Sequence, residues 1–282
     1  MLIDRPIIEP EKLSCLFQEP NLIIFDARAG KDAFESYLQK HIKGAQFIDL
    51  EKDLAAVPEN AANGGRHPLP DLEKFRQTLE NFGVNENSTM VVYDDKNGAN
   101  AAARLWWMLV SFGFEKAVVL DGGLLNAEKN QIEMATGEEK APQKGHLKAR
   151  FHWNLPISTI EEVKEALSKN SATVIDVRDA YRYRGESEPI DLVAGYIPGA
   201  VNVPFSENLD GNGRFLSSEL LNKKYSEFLK GKTEELIIHC GSGVTACHTI
   251  LALKQAGFET PNLYVGSWSE WSRRNESIAT ET

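Results

Sequence analysis

No run of about 18 apolar residues occurs in the 282-residue chain, so no segment reads as a membrane-spanning helix. Clustered Lys and Arg are also missing. The 31 basic residues face 41 acidic ones, a formal net charge of −10, and a diffuse acidic surface argues against nucleic acid as a partner. Anionic small molecules remain possible substrates, because one local Arg outweighs that background field. The opening MLIDRPIIEP, with Asp4 and Glu9, has neither the apolar core of a signal peptide nor the Arg- and Ser-rich, acid-poor pattern of a transit peptide. Cysteine is scarce: Cys15, Cys240 and Cys247 form no evident disulfide framework. An odd, low count fits a reducing compartment, and the expected location is the cytoplasm. No second cluster joins His239-Cys240 or Cys247-His248 at zinc-like spacing, so neither metal nor cofactor is expected.

What the chain does have, it has twice. LIIFDAR (22–28) matches TVIDVR (173–178), with Asp26 over Asp176. HIKGAQFIDL (41–50) matches YIPGAVNVPF (196–205), and GGR (64–66) matches NGR (212–214). MVVYDD (90–95) matches LIIHCG (236–241), and Gly113-Phe114-Glu115 matches Gly257-Phe258-Glu259. Five anchors in one order, with offsets between 144 and 155, indicate a tandem duplication. Short, nearly all-apolar β-branched runs alternate with helical segments such as 159–170, 217–231 and 244–257, where Gly231 and Gly257 act as stops. That alternation predicts an α/β fold: two tandem domains, each a mostly parallel sheet flanked by helices. The expected boundaries are 1–137 and 156–282, with the polar stretch 138–155 as linker.

The chemistry concentrates where the buried strand LIIH runs into Cys240-Gly241-Ser242-Gly243-Val244-Thr245-Ala246 and then a helix. A thiol at the C-terminal end of a parallel strand, facing a helix N-terminus, sits where open α/β sheets place ligands. Two glycines let the loop curl so that main-chain N–H groups surround the sulfur, an anion nest built without charged side chains. Such settings lower a thiol pKa to about 3.5–7.5 and would also hold an anionic persulfide. A lone Cys is otherwise commonly a small buried hydrophobe. That description suits Cys247, seven residues on in the helix, and Cys15 receives no role.

The CGSGVTA loop, the terminal GSWSEW (266–271) and the HIKGA and YIPGA turns together resemble the rhodanese superfamily, with a loop closest to the 3-mercaptopyruvate sulfurtransferase type. The resemblance runs from about residue 8 to residue 274 and implies an inactive first rhodanese-like domain and a catalytic second one. The repeat points the same way, since Asp94 stands over Cys240 and the first domain has no thiol there. The second domain also carries five extra residues before Gly199, in DAYRYRGESEPIDLVAG (179–195). Insertions that distinguish one copy commonly carry function.

The activity so implied is transfer of sulfur from a small-molecule donor, 3-mercaptopyruvate, through a Cys240 persulfide to a thiol such as thioredoxin or to cyanide. The resemblance makes Arg182 the clamp for the donor's carboxylate, with Arg184 as second choice, and Gly241, Gly243, Val244 and Thr245 the cradle. The uncharged loop favours this donor over dianionic thiosulfate, the alternative within the same superfamily. Ser242 is either a substrate-bonding or proton-relaying hydroxyl, or a turn residue bonded to its own loop. The resemblance also points to His67, in H-P-L-P, and to Asp53, both in the long loop 53–70, although Asp53 is equally readable as a solvated loop acid. Two rivals stand further off. A Cys-dependent phosphatase needs C-x5-R, and the Arg position is Ala246. A non-catalytic binding module has no use for a thiol in an anion nest.

Overall fold

The computed structural model describes residues 5–141, 143–233 and 235–281. Met1–Asp4, the start of the segment read above for targeting signals, lie outside these residues. The chain forms two compact units of nearly equal content.

The first unit contains β1 (Ile7–Ile8), α1 (Pro10–Leu16), β2 (Leu22–Asp26), α2 (Ala33–Gln39), β3 (His41–Ile42) and β4 (Ala45–Phe47). It continues with α3 (Leu72–Asn81), β5 (Thr89–Tyr93), α4 (Ala102–Phe112), β6 (Ala117–Leu120), α5 (Gly123–Lys129) and β7 (Met134–Ala135). Its sheet runs β1-β6-β5-β2-β4, every pair parallel, and β3 and β7 form a small antiparallel pair. The second unit contains β8 (Ile157–Ser158), α6 (Ile160–Lys169), β9 (Thr173–Asp176), α7 (Ala180–Tyr183), β10 (Val201–Asn202) and a 3₁₀ turn (Phe205–Asn208). α8 (Ser218–Leu229), β11 (Leu236–His239), α9 (Thr245–Gln255), β12 (Asn262–Tyr264) and α10 (Ser267–Trp271) complete it. The sheet order β10-β9-β11-β12-β8, again all parallel, is the same order once the copies are superposed on the repeat.

Local sequence explains these elements. β5 and β11 lie mid-sheet with every residue buried, which is why they read as unbroken apolar runs without alternation. Asp71, Thr159 and Ser217 cap α3, α6 and α8, the second through a full capping box with Glu162. Gly257 takes φ +89° after α9, the left-handed stop expected there. Each β2 or β9 strand ends in Asp-x-Arg. Arg28 grips Asp26 and the Lys40 carbonyl, and Arg178 grips Asp176 and the Gly195 carbonyl. Each copy also stacks two rings at its GA turn, Tyr37 on His41 at 4.2 Å and Tyr183 on Tyr196 at 4.0 Å. These pairs locate the insertion. The rings are four positions apart in the first copy and thirteen in the second, while the second copy is four residues shorter between Asp176 and Tyr183 than the first between Asp26 and Tyr37, so the net gain of five comes from nine extra residues between Tyr183 and Tyr196.

Two features depart from the sequence boundaries. Residues expected to form a linker pack into the first unit as far as Asn154. Leu147 is buried, Glu80 accepts its N–H, and Arg150 donates to the Phe112 carbonyl, so polar composition there reflects hydrogen bonding to the unit. Each unit also includes a segment from the opposite half of the sequence: Ala56–Leu69 belong to the second, and Asn212–Arg214 to the first. Among the described residues no helix is long and apolar enough to cross a membrane.

Candidate active site

Cys240 follows β11 directly, at the C-terminal edge of the second unit's sheet. The polypeptide there is pinned by α10. Ser267 Oγ accepts the Cys240 N–H at 3.2 Å, and the carbonyls of Cys240 and Gly241 accept N–H groups of Trp268 and Ser269 at 3.0 and 2.9 Å. Ser267 adopts φ +54°, a strained conformation for a non-glycine residue, and it is this turn that aims its hydroxyl at the loop. The GSWSEW motif thus holds the Cys240 N–H and the carbonyls of Cys240 and Gly241. Among the described residues the N–H groups of Gly241, Ser242, Val244 and Thr245 donate to no protein acceptor. Gly243 takes φ +72°, and a Cβ there would stand 2.6 Å from the Val265 carbonyl oxygen, so only glycine lets the loop turn against that strand end.

The segment Ala56–Leu69 delivers two side chains to successive loop residues. His67 Nδ1 lies 2.8 Å from Ser242 Oγ, so the serine hydroxyl is partnered by a residue 175 positions away rather than by its own turn. Arg66 lies beside Gly241. A Cβ on Gly241 would find Arg66 Nη2 at 3.3 Å, Arg182 Nη2 at 3.5 Å and Asp191 Oδ2 at 3.7 Å. The segment is fixed through α10 as well, since Arg66 N–H donates to Ser269 Oγ at 3.0 Å. Gly65 makes this approach possible: a Cβ there would collide with the Gly266 carbonyl oxygen at 2.4 Å.

The loop itself is uncharged, but its surroundings are not, which corrects the expectation of a nest unaided by charge. Arg182 donates through Nε and Nη2 to Glu188, with Asp191 at 3.7 Å. Arg66 and Arg273 both donate to Asp191 Oδ1, at 3.1 and 3.0 Å. Arg178 reaches Glu188 at 3.2 Å beyond its bidentate grip on Asp176. Among the described residues four guanidiniums thus face three carboxylates in one continuous network, leaving one cation in excess. Burial opposes the charge on Arg178, yet Asp176, Glu188 and the Cys240 sulfur outweigh it and hold its pKa above the ordinary value. Burial also works against Glu188, but Arg182 and the N–H groups of Asp191 and Ile190 keep its carboxyl below the usual range. His239, fully buried behind the loop, is pushed down by that burial and stays neutral.

The rhodanese-like domain matches residues 9–129 and again residues 159–274. The chain belongs to the rhodanese family. A Pseudomonas aeruginosa relative named as a probable 3-mercaptopyruvate sulfurtransferase is 40% identical, over 94% of this chain and 94% of its own. A Mycobacterium tuberculosis relative named as a putative thiosulfate sulfurtransferase is 36% identical, over 86% of this chain and 83% of its own. The crystal structure of the Escherichia coli 3-mercaptopyruvate enzyme superposes with a TM-score of 0.80 at 31% identity, covering 94% of this chain and 100% of that one.

Within this rhodanese pair of units, the remaining expected residues fall in different places. Gly241, Gly243, Val244 and Thr245 form the loop with Ser242 and Cys240. Arg182 stands beside it, though already paired with Glu188. Arg184 does not join the network; it pairs with Glu186 at the surface at 2.6 Å. Asp53 belongs to the first unit, where it accepts the Asp49 N–H at 2.9 Å and burial pushes its carboxyl up. Cys247 is buried in α9 and donates to the Gly243 carbonyl, His248 stacks on Phe215, and Cys15 is exposed. Among the described residues no group of three or more His, Cys, Asp or Glu is placed to hold a metal ion. Arg66, Glu188, Asp191 and Arg273 were not expected. Arg66 was visible only as the last letter of a repeat anchor, immediately before His67.

Proposed function

We propose that the second rhodanese unit is a sulfurtransferase that takes sulfur from 3-mercaptopyruvate onto Cys240 and passes it to a thiol, with thioredoxin or cyanide as acceptors. One observation carries the reading: around a single loop, open main-chain donors, a hydroxyl–imidazole pair and guanidiniums converge on the residues at and after a cysteine. The relatives of the mercaptopyruvate type, similar over nearly the whole chain, support the choice of donor.

In the first half-reaction the Cys240 thiolate attacks the donor's sulfur. An S–S bond forms, the C3–S bond breaks, and its electron pair passes to C3 as the enolate of pyruvate. The proton carried by the donor's thiol moves to C3, the Ser242–His67 pair serving as its path, and pyruvate leaves. The persulfide that remains, Cys–S–S⁻, lies among the N–H groups of Gly241, Ser242, Val244 and Thr245. In the second half-reaction an acceptor thiolate attacks the outer sulfur and the Cys240 thiolate departs, which predicts ping-pong kinetics. The carboxylate of the donor faces the cationic side of the loop, with Arg182 behind it. A reducing, cytoplasmic setting suits a catalytic thiol of this kind.

Thiosulfate is the second reading. The Mycobacterium tuberculosis relative favours it, and Arg66 and Arg182 beside Gly241 supply cations that the loop sequence lacks. Mixing the protein with each donor, then measuring the Cys240 peptide by mass spectrometry and pyruvate by a coupled assay, tests both. A gain of one sulfur at Cys240 with equimolar pyruvate is expected. No gain with mercaptopyruvate, alongside a gain with thiosulfate, replaces the first donor by the second.

A further inference from the structure

We infer that Arg66, rather than Arg182, makes the direct contact with the donor's carboxylate; the inference rests on the mercaptopyruvate reading and names the substrate ligand within it. Three observations carry it. The first is position. The Nη2 atoms of Arg66 and Arg182 and the Oδ2 of Asp191 converge on one point beside Gly241, and Arg66 comes nearest, at 3.3 Å. A carboxylate attached one carbonyl carbon from the reacting carbon, with its sulfur at Cys240, extends over this neighbouring residue.

The second is commitment. Arg182 is nearly buried and spends Nε and Nη2 on Glu188, a carboxylate that is itself buried. Turning it toward a ligand would break that two-point grip and leave the buried Glu188 with Arg178 as its remaining guanidinium, at 3.2 Å and already committed to Asp176, a costly rearrangement. Arg66 has a side chain 27% exposed, and among the described residues its guanidinium is bonded to Asp191 alone, an acid that Arg273 also neutralises. Asp191 retains a guanidinium partner when Arg66 turns to a ligand. Arg66 can therefore present a two-pronged edge to a planar carboxylate at little electrostatic cost.

The third comes from the repeat. Arg214 occupies the matching place in the first unit, and there it pairs with both Glu9 and Asp121. Two carboxylates leave it no charge to offer. The same residue type, in the same turn, is fully neutralised beside the loop without a thiol and only partly neutralised beside the loop with one. The single excess cation of the second unit's network suits a monoanion better than a dianion, which makes 2-oxo monocarboxylic acids bearing a β-sulfur the matching class.

Two measurements on the full chain test this. Arg66→Gln is expected to raise KM for 3-mercaptopyruvate about 10- to 100-fold, the loss of one charge-assisted bond, with kcat changed less than about threefold and Arg66→Lys in between. Alkylation at Cys240, followed on its peptide, gives a second readout that does not need turnover. The ratio of iodoacetate to iodoacetamide rates should fall in Arg66→Gln by a similar factor, because only the former carries a carboxylate. A purely structural role would slow both reagents alike, and that result, or an unchanged KM and ratio, overturns the inference. If the unsubstituted protein releases no pyruvate, the donor assignment fails, and the alkylation ratio alone then decides whether Arg66 binds carboxylates.

Discussion

The same strand-to-helix junction is built twice in this chain, after β5 and after β11, and the two copies treat their main-chain donors in opposite ways. In the first unit the residue at the strand end is Asp94. Its Oδ1 accepts the N–H groups of Lys96 and Gly98 at 2.9 and 2.8 Å, and its Oδ2 those of Asn100 and Ala102 at 3.0 and 3.2 Å. In the second unit the residue is Cys240, and among the described residues four amides of its loop have no acceptor in the protein. The rest of the support is common to both: the Asp94 carbonyl accepts the Leu124 N–H as the Cys240 carbonyl accepts that of Trp268. The lesson is that this junction gathers main-chain donors by construction. One copy satisfies them with its own carboxyl group and becomes structural, and the other leaves them open beside a thiol.

Experiments that exchange or remove these groups would break or sharpen that contrast. The largest effect belongs to Cys240→Ser, which should lower sulfur transfer at least about 1,000-fold, since a hydroxyl cannot form the persulfide. Its urea melt should match that of the parent. Asp94→Ala comes next, and on stability instead: four buried donors lose their acceptor, at a cost of about 3–5 kcal/mol read from the first unit's transition in a urea or thermal melt. Persulfide formation at Cys240 should persist in the folded fraction.

A pH series separates the copies further. Burial pushes Asp94 up to about 6 despite the N–H groups of Lys96, Gly98 and Ala102, which pull it down. A carboxyl with a raised folded pKa binds more protons folded than unfolded, so its contribution is full below about pH 4 and is lost as pH rises through about 6. The second unit runs the other way. Burial pushes His239 down, so the unfolded chain takes the proton first and stability falls as pH drops below about 6.5. Between pH 7 and pH 5 the two transitions seen by calorimetry should therefore move in opposite directions, and Asp94→Asn should remove the first unit's share, roughly 1.4 kcal/mol over that interval. The smallest effect is that of Arg184→Ala. Its exposed pair with Glu186 predicts activity within about twofold of the parent and a stability change below about 0.5 kcal/mol.

The sequence made one side of the comparison legible and hid much of the other. The duplication, the parallel strands and the Cys240 loop were readable because local composition dictates them: β5 and β11 are uniformly apolar, and Gly243 has to be glycine. His67 could be named because its neighbours form a recognisable string. The cationic surroundings could not be read in the same way. Glu188 and Asp191 look like ordinary charges in a polar insertion until the chain between Tyr183 and Tyr196 folds back onto Arg182 and Arg66. Arg66 stands in the first half of the sequence, and nothing local says that its turn packs with the second unit. A carboxylate such as Asp94 likewise reads as a lost thiol, and only its bonds show it to be a built-in occupant.

Because Ala56–Leu69 complete the second unit and Asn212–Arg214 complete the first, neither half of the polypeptide carries the parts of a finished body. A ribosome releasing this chain has made the imidazole for Ser242 long before the serine exists, and must wait for Arg214 before the first unit can close. Such long sequence separations slow folding and make each unit wait for residues from the opposite half. A proteolytic or genetic cut near residue 155 would yield no stand-alone catalyst, since the C-terminal fragment would keep its thiol and lose the turn that brings Arg66 and His67 to it.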